Sequence, residues 1–198
     1  MKIKILILLS QLFLLLSCNE HQSNPVPETK IVPTKPKGYS YGKLYRDNEN
    51  KFRIQYPNNW ELVKGEASHT VVKFINRDSS MSLSINVMYN DGLAADKQLS
   101  QTELEDYKSH MRSSLIAANK SPLSLTADNG FLDNHNAIIV AYKSIFRQVD
   151  VEYPFQFYQI QGVRDGKIYT ISLSVIDKYY TASFKNYINN FLYSFRFD

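Results

Sequence analysis

Four histidines, two oxygen-rich clusters, one carboxylate pair and one aromatic run are the residues whose types could do chemistry in this chain. His69, His110 and His135 fall on separate elements, and His21 lies in a proline-rich stretch. The three could converge in space, but their spacing matches no zinc or zinc-hydrolase motif, so surface or capping histidines are expected. Asp47-Asn48-Glu49-Asn50 and Asp128-Asn129-Gly130 hold enough oxygen for a weak cation site. Turn formation accounts for the same residues, because Asn and Asp hydrogen-bond their own backbone. The EF-hand pattern is absent. Asp150 and Glu152 share one strand face, as an acid/base pair would and as a charge-guarded edge also would. Tyr153, Phe155, Phe157 and Tyr158 make the densest aromatic run. Exposed, they form a candidate interaction patch; alternation would instead bury half of them in a core. There is no Gly-x-Ser-x-Gly, glycine-rich phosphate loop or His-Glu-x-x-His. No catalytic, cofactor-binding or metal-ligating residue is assigned, and a protein that is not an enzyme and needs no cofactor is expected.

The elements that must position these residues begin with an address. Lys2 and Lys4 precede an apolar run from Ile5 to Leu16, interrupted by Ser10 and Gln11. That is the layout of an export signal, and the run is too short for a spanning helix of about 20 residues. The chain's single cysteine follows in Leu15-Leu16-Ser17-Cys18. This segment resembles the lipobox of bacterial lipoproteins. The resemblance implies cleavage before Cys18 and diacylglyceryl transfer to its sulfur, so residues 1–17 are read as a lipoprotein signal peptide. Two or three acyl chains, at about 0.8 kcal/mol per buried methylene, hold a membrane firmly where one does not. A plain secretory signal with an incidental cysteine is the alternative. Asn rather than Asp at position 19 implies the outer membrane over the inner.

Residues 18–42 read as the acylated cysteine and a tether. Pro25, Pro27, Pro33 and Pro36 are four of the chain's seven prolines. Proline lacks an N–H and fixes φ, which disfavours helix and interior strand. Such a chain rises about 3.1 Å per residue and could hold a domain well off a bilayer.

Residues 43–198 read as one domain, large enough for its own core without disulfide or metal. Removing Lys2 and Lys4 from the formal net charge of +4 leaves +2, which predicts no nucleic-acid track. Period-2 alternation predicts strands at Phe52–Tyr56, Trp60–Val63, Val71–Ile75, Met81–Tyr89, Ala137–Phe146, Tyr153–Val163 and Ile168–Ile176. Arg164-Asp165-Gly166-Lys167 predicts a hairpin turn. Ser100-Gln101-Thr102-Glu103 has the form of a capping box before a helix to about Ala118, with Leu104, Tyr107, Met111 and Leu115 on its apolar stripe. A second helix is predicted from about Tyr179 to Tyr193, with Asp177 as N-cap. The expected class is α+β, a central antiparallel sheet flanked by helices.

The run from Tyr45 to Trp60, with Phe52-x-Ile54-x-Tyr56-Pro57-x-x-Trp60 as its sharp motif, resembles the opening of PsbP-like (PsbP/DcrB-type) domains. The order of the later elements is also similar, down to the closing Ser194-Phe195-Arg196-Phe197. The resemblance covers residues 43–198 and implies an α/β/α sandwich. It also implies an accessory or docking role, since members are not chiefly known for catalysis. Fold alone does not hand over function. The expectation is a membrane-anchored envelope lipoprotein that binds another envelope protein, with no nucleic-acid partner. A carrier or sensor of a small apolar ligand is the alternative, and a hydrolytic enzyme the least favoured reading.

Overall fold

A computed structural model describes residues 42–65, 67–76, 80–89, 97–118, 122–148, 151–180, 190 and 194–198. The signal, Cys18 and the tether lie outside these residues, as does most of the second expected helix. The elements are β1 (Lys43–Asp47), β2 (Phe52–Tyr56), β3 (Trp60–Val63), β4 (Thr70–Asn76), β5 (Met81–Tyr89), α1 (Gln101–Ala117), β6 (Ser124–Leu132), β7 (His135–Gln148), β8 (Val151–Arg164), β9 (Lys167–Ile176) and β10 (Arg196–Phe197). They build a seven-stranded sheet, β3-β4-β5-β9-β8-β7-β6, and a three-stranded sheet, β1-β2-β10. Every pairing is antiparallel.

Local chemistry explains the hairpins. Asp165 and Gly166 take φ of 50° and 69° between β8 and β9, the twist-matched geometry of a two-residue hairpin. Asp133 and Asn134 do the same between β6 and β7. At the start of α1 the Ser100 hydroxyl accepts from the Glu103 N–H, and the Glu103 carboxylate accepts from the Ser100 N–H. Lys97 and these backbone and hydroxyl bonds of Ser100 hold the Glu103 carboxyl down at about 2. Leu104, Tyr107 and Leu115 of α1 are buried, and Met111 packs against them.

The large sheet has two different faces. On one, Val72, Phe74, Leu83, Ile85, Tyr158, Ile160, Tyr169, Ile171, Leu173 and Val175 meet Phe52, Ile54 and Tyr56 of β2 with Phe195 and Phe197. Burying each such side chain contributes about 1.5–3 kcal/mol. On the other, α1 lies against Ala127, Val140 and Tyr142.

The expected α/β/α sandwich is therefore corrected. The described structure is 60% strand and 18% helical, with one helix and two antiparallel sheets rather than helices on both sides of one sheet. The layer over the main core is the small sheet. Its β2 alternates strictly, with Phe52, Ile54 and Tyr56 all buried, so it offers a flat apolar face that a helix would otherwise supply. Asp177, expected to cap the second helix, opens one 3-10 turn, Asp177–Tyr179, with no side-chain cap. Its carboxylate is occupied elsewhere, accepting from Lys143 Nζ and Gln156 Nε2, both at 2.7 Å.

Candidate functional site

The half of the α1-side face that the helix does not cover is polar. Ser82, Ser84 and Asn86 of β5 stand opposite Ser174, Ser172 and Thr170 of β9. Phe157, Gln159 and Gln161 of β8 continue those rows, and Lys73 of β4 stands opposite Ser84. Because side chains alternate along a strand, one parity of three neighbouring strands gathers hydroxyls and amides while the other gathers the core. The result is a hollow of about 210 Å³ lined by Thr70, Lys73, Ser82, Ser84, Asn86, Phe157, Ser172 and Ser174, among others.

Its wall is fixed by cross-strand hydrogen bonds. Thr70 Oγ1 donates to Asn86 Oδ1 at 2.6 Å, and the Ser82 and Ser174 hydroxyls bond each other at 2.8 Å. Gln159 Nε2 donates to Ser172 Oγ at 3.1 Å. Further in, Tyr107 OH donates to Gln161 Oε1, and Gln161 Nε2 donates to Thr170 Oγ1. Asn86, Gln159, Gln161, Thr170 and Ser172 are all buried. Phe157 stacks on Tyr142 with ring centroids 4.7 Å apart. Burial pushes the Tyr107 and Tyr142 phenols up, with Tyr107 adding to the rise at Tyr142. No histidine or carboxylate lines the hollow among the described residues. What this wall offers is hydrogen bonding from its hydroxyls and amides.

The residues singled out in the sequence are dispersed. Tyr158 is 8% exposed in the main core. Phe155 and Phe157 point to the opposite face, half-buried, with centroids 6.0 Å apart. Tyr153 belongs to β8 opposite Phe146. Strand parity thus separates Tyr158 from the other three positions. Asp150 lies outside the described residues, and Glu152 is exposed at the start of β8. His69 precedes β4, His110 is exposed on α1, and His135 opens β7 edge-on to Phe197. Among the described residues no three His, Cys, Asp or Glu side chains are placed to share a metal ion.

The two oxygen-rich clusters have structural partners. At residues 47–50 Asp47 Oδ1 accepts from the Asn50 N–H, and Lys167 Nζ reaches Asn50 Oδ1 and the Glu49 carbonyl. An ammonium already supplies the positive charge there. Asp128-Asn129-Gly130 is not a turn but the middle of β6. The Asn129 amide exchanges both hydrogen bonds with the Leu99 backbone, imitating a neighbouring strand along an open edge. The hollow was missed from the sequence, although both strands carry its signal. Ser82-Leu83-Ser84-Ile85-Asn86 and Thr170-Ile171-Ser172-Leu173-Ser174 have the same alternation, and only their pairing brings the two rows together.

The PsbP family model matches residues 41–197, and the chain belongs to that family. Cyanobacterial PsbP (CyanoP) from Synechocystis is similar at a TM-score of 0.54 and 18% identity, covering 83% of this chain and 97% of that one. The Saccharomyces cerevisiae Ran-binding protein Mog1p is similar at 0.51 and 9% identity, covering 80% and 96%. A structure from Bacteroides thetaiotaomicron is similar at 0.52 and 11% identity, covering 80% of this chain and 49% of that one. At these identities the likeness is one of fold. No curated protein sequence matches the chain. The family includes non-enzymatic accessory and binding proteins. No helix of the described residues is long and apolar enough to cross a membrane.

Proposed function

We propose that this protein is an acylated lipoprotein of the bacterial cell envelope, held by Cys18 and serving as a non-enzymatic binding or assembly module for another envelope protein. The observation that carries the reading is the position of the chain's single cysteine, directly after the apolar run and Ser17. The fold supports the docking half. The large sheet ends in two edge strands, β3 and β6. Leu62 on β3 and Phe131 on β6 are 49% and 55% exposed. An open edge pairs readily with an added strand, and β6 is partly guarded by Asn129, which leaves β3 as the favoured docking edge. The same fold serves a protein whose name records Ran binding. The outer membrane is favoured over the inner because residue 19 is Asn.

The test is metabolic labelling with palmitate, followed by fractionation. The wild-type chain should take up label and sediment with membranes, and Cys18→Ser should do neither. A free thiol on Cys18 in the mature wild-type chain overturns the anchor. For docking, cross-linking in intact cells should yield a reproducible envelope partner whose yield falls with Leu62→Lys. Recovery of no partner above background overturns that half.

A further inference from the structure

We propose that the outer face of the small sheet docks on an anionic lipid bilayer, its arginines taking the phosphate groups of the headgroups. Strand parity defines that face. Tyr45, Phe52, Ile54, Tyr56 and Phe197 turn inward to the core, so Leu44, Arg46, Arg53, Gln55 and Arg196 turn outward. Arg53 stands opposite Arg46 on one side and opposite Arg196 on the other. Three guanidinium side chains are thus in register across three neighbouring strands. Like charges directly opposite one another destabilise a strand pair. Two carboxylates offset part of this: Asp198 pairs with Arg46 and Arg53, and Asp133 pairs with Arg196. A guanidinium carries five N–H donors in a planar fork. The contacts engage Nε of Arg46, Nη1 of Arg53, and Nε and Nη1 of Arg196, the last donating to the Phe195 carbonyl. The three side chains stay 51%, 39% and 43% exposed, so donors on each are left for a further acceptor. A phosphate matches that fork bidentately. Two observations select a bilayer over an acidic protein segment. Leu44 lies on the same face and is 54% exposed, and an apolar side chain among cations is the makeup of an interfacial membrane contact. β1 is also an edge strand of the small sheet, and its first residue, Lys43, directly follows the stretch read as a tether. An anchored chain therefore delivers this sheet first to the lipid surface. The inference rests on the anchor reading only for the nearness of a bilayer.

The experiment is co-sedimentation of the chain from Asn19 to Asp198 with lipid vesicles. That chain lacks the leader and Cys18 but keeps every residue of both cores. Failure here therefore leaves the acylation of Cys18 standing, and an unacylated Cys18 does not change the vesicle result. Vesicles of phosphatidylcholine mixed with phosphatidylglycerol should bind the chain, and pure phosphatidylcholine should not. Binding should vanish at about 1 M salt, where the screening length falls to about 3 Å. Each arginine at an anionic surface is worth about a fivefold change in partition. Arg46→Gln gives up a single 3.5 Å ion pair and should weaken binding about fivefold, and adding Arg196→Gln should bring the loss to about twentyfold or more. Leu44→Ser should weaken binding with no change of charge. Arg112→Gln removes the same charge from the exposed side of α1 and should leave binding unchanged. Circular dichroism checks that each variant is folded, and Arg196→Gln alone replaces Arg46→Gln if the latter is not. Equal binding to both kinds of vesicle, binding to neither, or an equal loss with Arg112→Gln overturns the proposal. So does capture of soluble polyglutamate without vesicle binding, which would give the arginine row to an acidic protein segment.

Discussion

At the scale of single residues, Asp177 and the two tyrosines between α1 and the sheet, Tyr107 and Tyr142, show what partners are worth. Burial pushes the Asp177 carboxyl up, but hydrogen bonds from Lys143 and Gln156, with the charge of Lys143, outweigh it and leave the group below its ordinary 3.8. A lowered folded pKa means stability that is complete above the unfolded value and lost as pH falls through the folded one. Urea midpoints should therefore drop between about pH 5 and pH 2, and Asp177→Asn should flatten part of that drop. At neutral pH the same variant should cost about 1 kcal/mol. An acid limb unchanged in Asp177→Asn would show that Asp177 is not among its sources. Tyr107 and Tyr142 give a second contrast. Tyr107 OH bonds Gln161, whereas the buried Tyr142 OH has no partner. Tyr107→Phe should cost about 1 kcal/mol and leave Gln161 short of a donor. Tyr142→Phe removes an unpaired polar atom at constant shape, and should be neutral or stabilising in chemical denaturation. A loss as large as that of Tyr107→Phe would reveal a hidden partner for Tyr142.

At the scale of elements, legibility followed locality. The capping box at Ser100 and Glu103 and the Asp165-Gly166 hairpin are written in four adjacent residues, and each appears where the sequence puts it. Ser100→Ala should therefore cost about 1 kcal/mol, read as a lower thermal midpoint. An unchanged midpoint would mean that the Lys97–Glu103 pair holds the first turn unaided. Strands with strict alternation were equally readable. Arg196–Phe197 was not, because a two-residue strand has no period. It becomes one only by pairing with Arg53 and Phe52, more than 140 residues away. That hidden pairing is why a second sheet, and not a helix layer, came to cover the core. Asp128-Asn129-Gly130 misled for a related reason. Its residue types favour turns, yet nine residues of register with β7 hold it extended. The hollow needed the same kind of knowledge, since two serine rows become one wall only once β5 and β9 are known to be neighbours.

At the scale of the whole molecule, the two sheets share one core, and this makes them a single cooperative unit. Phe195 and Phe197 follow the last strand of the large sheet by about twenty residues, yet Phe195 is fully buried among residues of both sheets. Phe52 stacks on Phe195 at 5.4 Å, while Tyr169 of β9 meets Phe197 at 4.9 Å. Polar contacts fasten the same end. Asp198 pairs with Arg53 and Arg46, its N–H donates to the Lys51 carbonyl, and Asp133 accepts from the Phe197 N–H. Trp60, the chain's single tryptophan, belongs to the large sheet and is buried in that same core. Its fluorescence should therefore unfold in step with the far-ultraviolet circular dichroism of all the strands, as two-state behaviour requires. Phe195→Ala empties a site lined by both sheets and should cost about 3–5 kcal/mol, lowering both signals together. If Phe195→Ala instead released the dichroism of a minor component while Trp60 melted at its original temperature, the small sheet would be a separable flap. Coincident curves in wild type and variant would establish that the two sheets unfold as one unit.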